Sequence, residues 1–161
     1  MNPAPHRSIF DRGAWYVVIQ AILIGLILFG PQGSLLVSAE PLKTIFQSCG
    51  IAIGLLACLI MVIAAINLGK NLTPLPCPKD DAELVQTGLY RFVRHPIYFG
   101  VLLAALAWLF IFPYVFTFVY VVALFILFDI KARREEVWLV ERFPAYKSYQ
   151  ARVNKLIPGI Y

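Results

Sequence analysis

Gly88-Leu-Tyr-Arg-Phe-Val-Arg-His-Pro-Ile-Tyr-Phe-Gly100 sets polar, chemically capable side chains directly against a long apolar run. Pro96 has no N–H and a preset φ, so it suits the first turn of a helix that starts at about His95. Gly88 suits a tight turn or a cap ahead of that helix. The chain then stays apolar from Pro96 to Phe128, a run of 33 residues. One straight helix of that length would measure about 50 Å, against a bilayer core of about 30 Å. Phe112-Pro113 near the middle therefore reads as a break. The expected result is a helical hairpin with arms of about 16 residues, each about 24 Å long. Pro113 then belongs at a tight turn on the non-cytoplasmic side. Arg91, Arg94 and His95 are expected at a membrane surface, with Tyr98 one turn inside. A helix N-terminus among basic residues readily holds an anion, although Arg and Tyr also serve as plain interfacial anchors.

Composition agrees with a membrane setting. The 161 residues are 60% hydrophobic and 14% charged, with a mean hydropathy of +0.76. Soluble domains run at about 45–50% apolar and about 25% charged. The length allows about four spans with short loops and leaves no room for a separate soluble catalytic domain. A net charge of +5 could suggest nucleic-acid binding. The basic residues flank apolar runs, however, so no nucleic-acid partner is expected. Cys49 and Cys58 fall on opposite faces of one helix and Cys77 stands alone in a polar loop. No CxxC or His-rich spacing suggests a metal.

Working outward, a first span is expected from Trp15 to Phe29, continuing towards Leu36 past Gly30-Pro31. Val37-Ser38-Ala39 after that run resembles a signal-peptide cleavage site, but the segment reads as a retained span. A second span covers Thr44 to Leu68 and contains Gly50-Ile-Ala-Ile-Gly54, a GxxxG spacing that lets two helices approach closely. Residues 69–94 form the one sizeable polar loop, where Pro74, Pro76 and Pro78 forbid a regular helix. Its length points to a functional lid over the start of the third span. The second hairpin arm should continue out of the membrane to Arg142, ending at Phe143-Pro144. The tail from Tyr146 to Pro158 reads as an amphipathic surface segment.

The expected fold is thus all-α, with about four transmembrane helices including a short hairpin, and a single domain over residues 1–161. Residues 1–68 supply the two N-terminal spans, and 69–161 supply the loop, hairpin and C-terminal helix that carry the motifs. Four spans put 13 of the 14 Lys and Arg residues on one side. The positive-inside rule makes that side cytoplasmic, together with both termini and the polar loop. That compartment also keeps thiols reduced.

Two segments hold nearly all the candidate groups: Gly88–Tyr98, and Lys131 with Glu135 and Glu136. Lys131 and Glu135, at i and i+4, share a helix face just beyond the membrane. Such a pair is either a solvated surface ion pair or a clamp for a carboxylate head group. Taken together, Gly88-Leu-Tyr90, Arg94-His-Pro-Ile-Tyr98-Phe-Gly100, the apolar hairpin, Glu135-Glu136, Phe143 and the Tyr-containing tail to Pro158 resemble the isoprenylcysteine carboxyl methyltransferase family, over residues 67–158. Phospholipid N-methyltransferases share much of the pattern. The resemblance implies methyl transfer from S-adenosylmethionine bound on the cytosolic side. It implies cofactor contacts at Leu84, Val85, Tyr90, His95, Pro96, Ile97, Tyr98 and Glu135, and a substrate-contacting cation at Lys131, where the family often has Arg; Arg133 or Arg134 is the alternative basic group, since Lys lacks the bidentate fork. Ala82 stands where the family often has His. The implied acceptor is a lipidic or prenylated carboxylate drawn from the membrane. The alternatives are an amine N-methyltransferase and a non-catalytic scaffold.

Overall fold

The computed structural model describes residues 13–77 and 81–161. The described residues form five helices: α1 (Ala14–Phe29), α2 (Glu40–Leu68), α3 (Pro96–Ile111), α4 (Val115–Arg142) and α5 (Tyr146–Gln150). A 3-10 turn at Gly88–Arg91 precedes α3. Among the described residues there is no extended sheet, only two isolated bridges. The all-α expectation holds.

Two helices, α2 and α4, are long and apolar enough to cross a membrane, while α1 and α3 are apolar but shorter. With 28 residues, α4 measures about 42 Å, so it outreaches a hydrocarbon core of about 30 Å. Ile45, Ile51, Leu55, Leu59, Val62 and Ile66 on α2 all point outwards and are exposed. Water would penalise such a face and hydrocarbon does not, as befits an integral membrane chain.

The GxxxG spacing packs α2 along α3. A Cβ at Gly50 would stand 2.8 Å from the backbone oxygen of Ala107 and 2.8 Å from Ile111, whereas one at Gly54 would meet Ala107 at an ordinary 3.6 Å. Gly50 therefore sets the close approach. On the other side of α3, Tyr16 and Ile27 of α1 join Ala105 of α3 and Leu124, Leu127 and Phe128 of α4 in one apolar core.

Pro113 does sit in a tight turn between α3 and α4. The extended stretch after α1 backs this turn: Leu36 N donates to Pro113 O at 2.7 Å, and Val115 N to Ser34 O at 3.1 Å. This corrects the expected continuation of the first span towards Leu36. The helix stops at Phe29 because Gly30 and Pro31 break it, and residues 32–36 satisfy the backbone groups of the turn instead.

The tail also differs from expectation. It is not laid on the surface: Tyr146, Tyr149 and Leu156 are fully buried. Residues 153–155 run beside 93–95, with Arg94 N donating to Asn154 O at 2.9 Å and His95 N to Lys155 O at 3.1 Å. The main-chain donors just ahead of α3 lack partners within their own helix, and the tail supplies them.

Candidate functional site

The site forms where four segments meet: the loop before residue 88, the start of α3, the end of α4 and the tail. Gly88 has φ +61, and a Cβ there would lie 2.0 Å from Asn67 Oδ1. Only glycine allows this turn, and the same Asn67 oxygen accepts from Leu89 N at 2.9 Å. At the other end of the loop, Asn71 Oδ1 accepts from Glu83 N at 3.0 Å, and Lys70 pairs with Glu83 at 2.7 Å. These contacts bring Leu84 and Val85 over the start of α3.

There they line a cavity of about 90 Å³ with Ala82, Tyr90, His95, Glu135, Leu139, Phe143, Tyr146 and Tyr149. Five of the expected cofactor contacts, Leu84, Val85, Tyr90, His95 and Glu135, thus share one enclosure. Tyr98 lies just behind it: its hydroxyl donates to Glu135 Oε2 at 2.7 Å, and its ring stacks on His95 at 5.2 Å and on Phe128 at 4.8 Å. Pro96 faces a different, wholly apolar hollow beside Phe92 and Phe99. Ile97 does not line the cavity.

His95 sits between two carboxylates, with Nε2 3.1 Å from Glu136 Oε1 and Nδ1 3.7 Å from Glu135 Oε2. His95 is buried within the protein. Arg94 Nε donates to Glu136 Oε1 at 2.6 Å, and Nη1 donates to the carbonyls of Gln150, at 3.0 Å, and Val153. It ties the tail to α4 through these contacts and also lines the cavity. Gln150 Nε2 donates to the second Glu136 oxygen at 2.8 Å. Arg91, by contrast, is exposed over Phe92.

Burial raises the pKa of Tyr90, Tyr146 and Tyr149, the last to about 12. Their hydroxyls therefore remain protonated donors at neutral pH. Tyr149 donates to the carbonyl of Tyr90, which braces the cavity wall.

Lys131 is 2% exposed, which rules out a solvated surface pair. Its Nζ donates to Gln20 Oε1 of α1 at 2.8 Å and lies 5.0 Å above the Tyr98 ring. Arg134 points away, exposed, with its guanidinium 4.7 Å over Trp138. Sequence reasoning missed three participants: Arg94 and Glu136 as the buried pair that supports His95, and Gln20. A lone amide within an apolar span was the available signal for Gln20.

The cavity suits an adenosyl sulfonium ligand chemically. Carboxylates offset positive charge and accept from hydroxyls, and Leu84, Val85 and the tyrosine rings offer apolar walls. Its volume does not yet suffice, since pockets for such ligands run to roughly 300 Å³ or more.

The long loop before α3, the proline-started α3 and the apolar α3–α4 hairpin define a helical membrane protein with an enclosed site at one end. The sequence model of the isoprenylcysteine carboxyl methyltransferase family matches residues 50–141, more than half the chain, and the protein belongs to that family. Its structure is similar to that of the eukaryotic intramembrane Ras methyltransferase ICMT (isoprenylcysteine carboxyl methyltransferase), solved without a monobody. The TM-score is 0.67 at 24% identity, over 99% of this chain and 55% of that one. The present chain thus spans about half the length of that protein. No curated protein matches the sequence.

Proposed function

We propose that this protein is an S-adenosylmethionine-dependent methyltransferase that esterifies the carboxylate of an isoprenylcysteine-like acceptor dissolved in the membrane. The observation that carries the reading is the placement of Tyr98. Its hydroxyl holds Glu135, which lines the cavity, while the face of its ring lies under the Lys131 ammonium. One aromatic ring therefore separates the cofactor side from the acceptor side.

When bound, the cofactor supplies a methyl group already activated on a sulfonium. In the transfer, the acceptor oxygen forms a bond to the methyl carbon as the carbon–sulfur bond breaks, and its electron pair stays on sulfur. The products are a neutral ester and a thioether. Neither an acid nor a base is needed, because the carboxylate is already ionised at pH 7. The protein's part is to orient and to exclude water. His95, Tyr90, Leu84, Val85 and Glu135 hold the cofactor. Lys131 holds the acceptor's anion, and the α3–α4 core keeps water out.

The chain crosses the membrane four times in this reading, with α1 and α3 as short arms, both termini in the cytoplasm and the cavity opening to it. Support comes from the 13 of 14 positive charges gathered on that side and from the rule that favours cytoplasmic Lys and Arg. Amine N-methylation is disfavoured, because the Lys131 charge repels a protonated amine acceptor.

The test is methyl transfer from labelled S-adenosylmethionine in proteoliposomes. It offers a farnesylated cysteine analogue and phosphatidylethanolamine as rival acceptors. A base-labile methyl ester on the cysteine analogue is the expected product. Label found only on the phospholipid amine would overturn the carboxylate assignment.

A further inference from the structure

The stripe of α1 that faces α4 runs through Tyr16, Leu23, Ile24 and Ile27, all packed in the apolar core. Gln20 interrupts this stripe. Gln20 is half-buried; a polar amide on the packed face of a helix in a membrane bundle is expensive unless it has work there, and Gln20 lies outside the residues matched by the family.

Its partner is Lys131. The ammonium carries three N–H donors and no acceptor. One donor is taken by Gln20 Oε1 at 2.8 Å. The rings of Tyr98 and Phe128, 5.0 and 5.9 Å away, attract the charge without neutralising it. The nearby Glu135 carboxylate binds Tyr98 instead, and among the described residues no carboxylate forms an ion pair with Lys131. A buried cation whose hydrogen-bond partner among the described residues is one neutral amide has donors left for an anion, with the Glu135 carboxylate nearby but not paired with it.

The amide contributes more than an acceptor. With Oε1 turned to Lys131, Gln20 Nε2 stands on the same planar group with two N–H donors of its own, and among the described residues it has no partner. A planar carboxylate is gripped best by two parallel donors, which arginine provides alone and lysine does not.

We propose that Gln20 and Lys131 together form a two-point donor pair, the ammonium for one oxygen of the acceptor's carboxylate and the Gln20 amide for the other. This rests on the carboxylate methyltransferase reading above. It makes α1 a determinant of acceptor choice, and it selects planar anions over amines and over acceptors with a single oxygen.

The test combines steady-state kinetics, with a farnesylated cysteine analogue as acceptor, and calorimetric titration with S-adenosylhomocysteine. The variants are Gln20→Ala, the isosteric Gln20→Glu, Lys131→Arg and the double variant Gln20→Ala/Lys131→Arg. Gln20→Ala should raise the acceptor KM about tenfold, a loss of about 1.4 kcal/mol, and leave S-adenosylhomocysteine affinity unchanged. Gln20→Glu should raise it further, because a second carboxylate repels the first. The double variant should return the KM close to the wild-type value, since one guanidinium then supplies both donors; a packing role for Gln20 predicts no such rescue. Wild-type KM in both Gln20 variants, or a double variant no better than Gln20→Ala, overturns the pair while the methyltransferase reading stands. A wild-type protein that binds S-adenosylhomocysteine but methylates no carboxylate overturns both.

Discussion

The Tyr98 hydroxyl donates to Glu135 Oε2 across 2.7 Å, joining the first turn of α3 to the end of α4 at the wall of the cavity. The two residues are 37 positions apart, and the contact exists only because the hairpin folds back at Pro113. In the proposed reading it divides the site in two, with Glu135 on the side of the cavity and the face of the Tyr98 ring under Lys131.

That division predicts separable defects. Tyr98→Phe keeps the ring stack and the cation contact but removes the donor to Glu135, so S-adenosylhomocysteine should bind about tenfold more weakly. Glu135→Gln should weaken it in the same direction. Lys131→Ala should leave that affinity intact and raise the acceptor KM. Titration calorimetry and acceptor kinetics on the three variants check this, and a single shared phenotype would count against the division.

The Arg94–Glu136 pair should matter for stability rather than chemistry. Both side chains are almost wholly buried, and removing one partner leaves an uncompensated charge that costs about 3–5 kcal/mol. Arg94→Ala also frees the carbonyls of Gln150 and Val153. We expect a clearly lower Tm in detergent for Arg94→Ala and Glu136→Gln. An unchanged Tm in both would show that the tail is held by other contacts.

Packing of α2 on α3 should respond unequally to its two glycines. Gly50→Ala places a methyl group 2.8 Å from a backbone oxygen, which cannot move without separating the helices, at a cost of about 1–3 kcal/mol. Gly54→Ala meets ordinary contact at 3.6 Å and should be nearly neutral. Thermal unfolding of the two variants decides it.

Much of this organisation could be read from the sequence, for local reasons. Pro96 and Pro113 start and break helices through their own ring geometry, and the apolar run of residues 96–128 could only fold into a hairpin. Leu84, Val85, Tyr90, His95 and Glu135 came from the family resemblance, and they converge on one cavity. The hidden features depend on pairings across long separations. Tyr146 and Tyr149 have the look of interfacial aromatics, and nothing local says that Arg94 draws their segment inwards. Gln20 meets Lys131 across 111 positions, and no periodicity encodes that contact.

Alkaline pH should loosen the tail. Tyr149, buried, has its pKa raised from 10.0 to about 12. Above pH 10 the unfolded chain therefore loses this proton while the folded one keeps it, and stability falls as pH rises from 10 towards 12. Tyr90 and Tyr146 shift in the same direction. The Tm should stay level on this account up to about pH 9 and drop beyond 10. A Tm that climbs across that range would contradict the burial of these hydroxyls.

The central claim is that the cavity between the loop and the start of α3 holds the methyl donor. The most direct measurement is titration calorimetry of S-adenosylhomocysteine against the purified protein and its His95→Ala variant. Saturable one-to-one binding to the wild type is expected, weakened tenfold or more in His95→Ala, a loss of about 1.4 kcal/mol. No binding to the wild type, or the same dissociation constant in both, would contradict it.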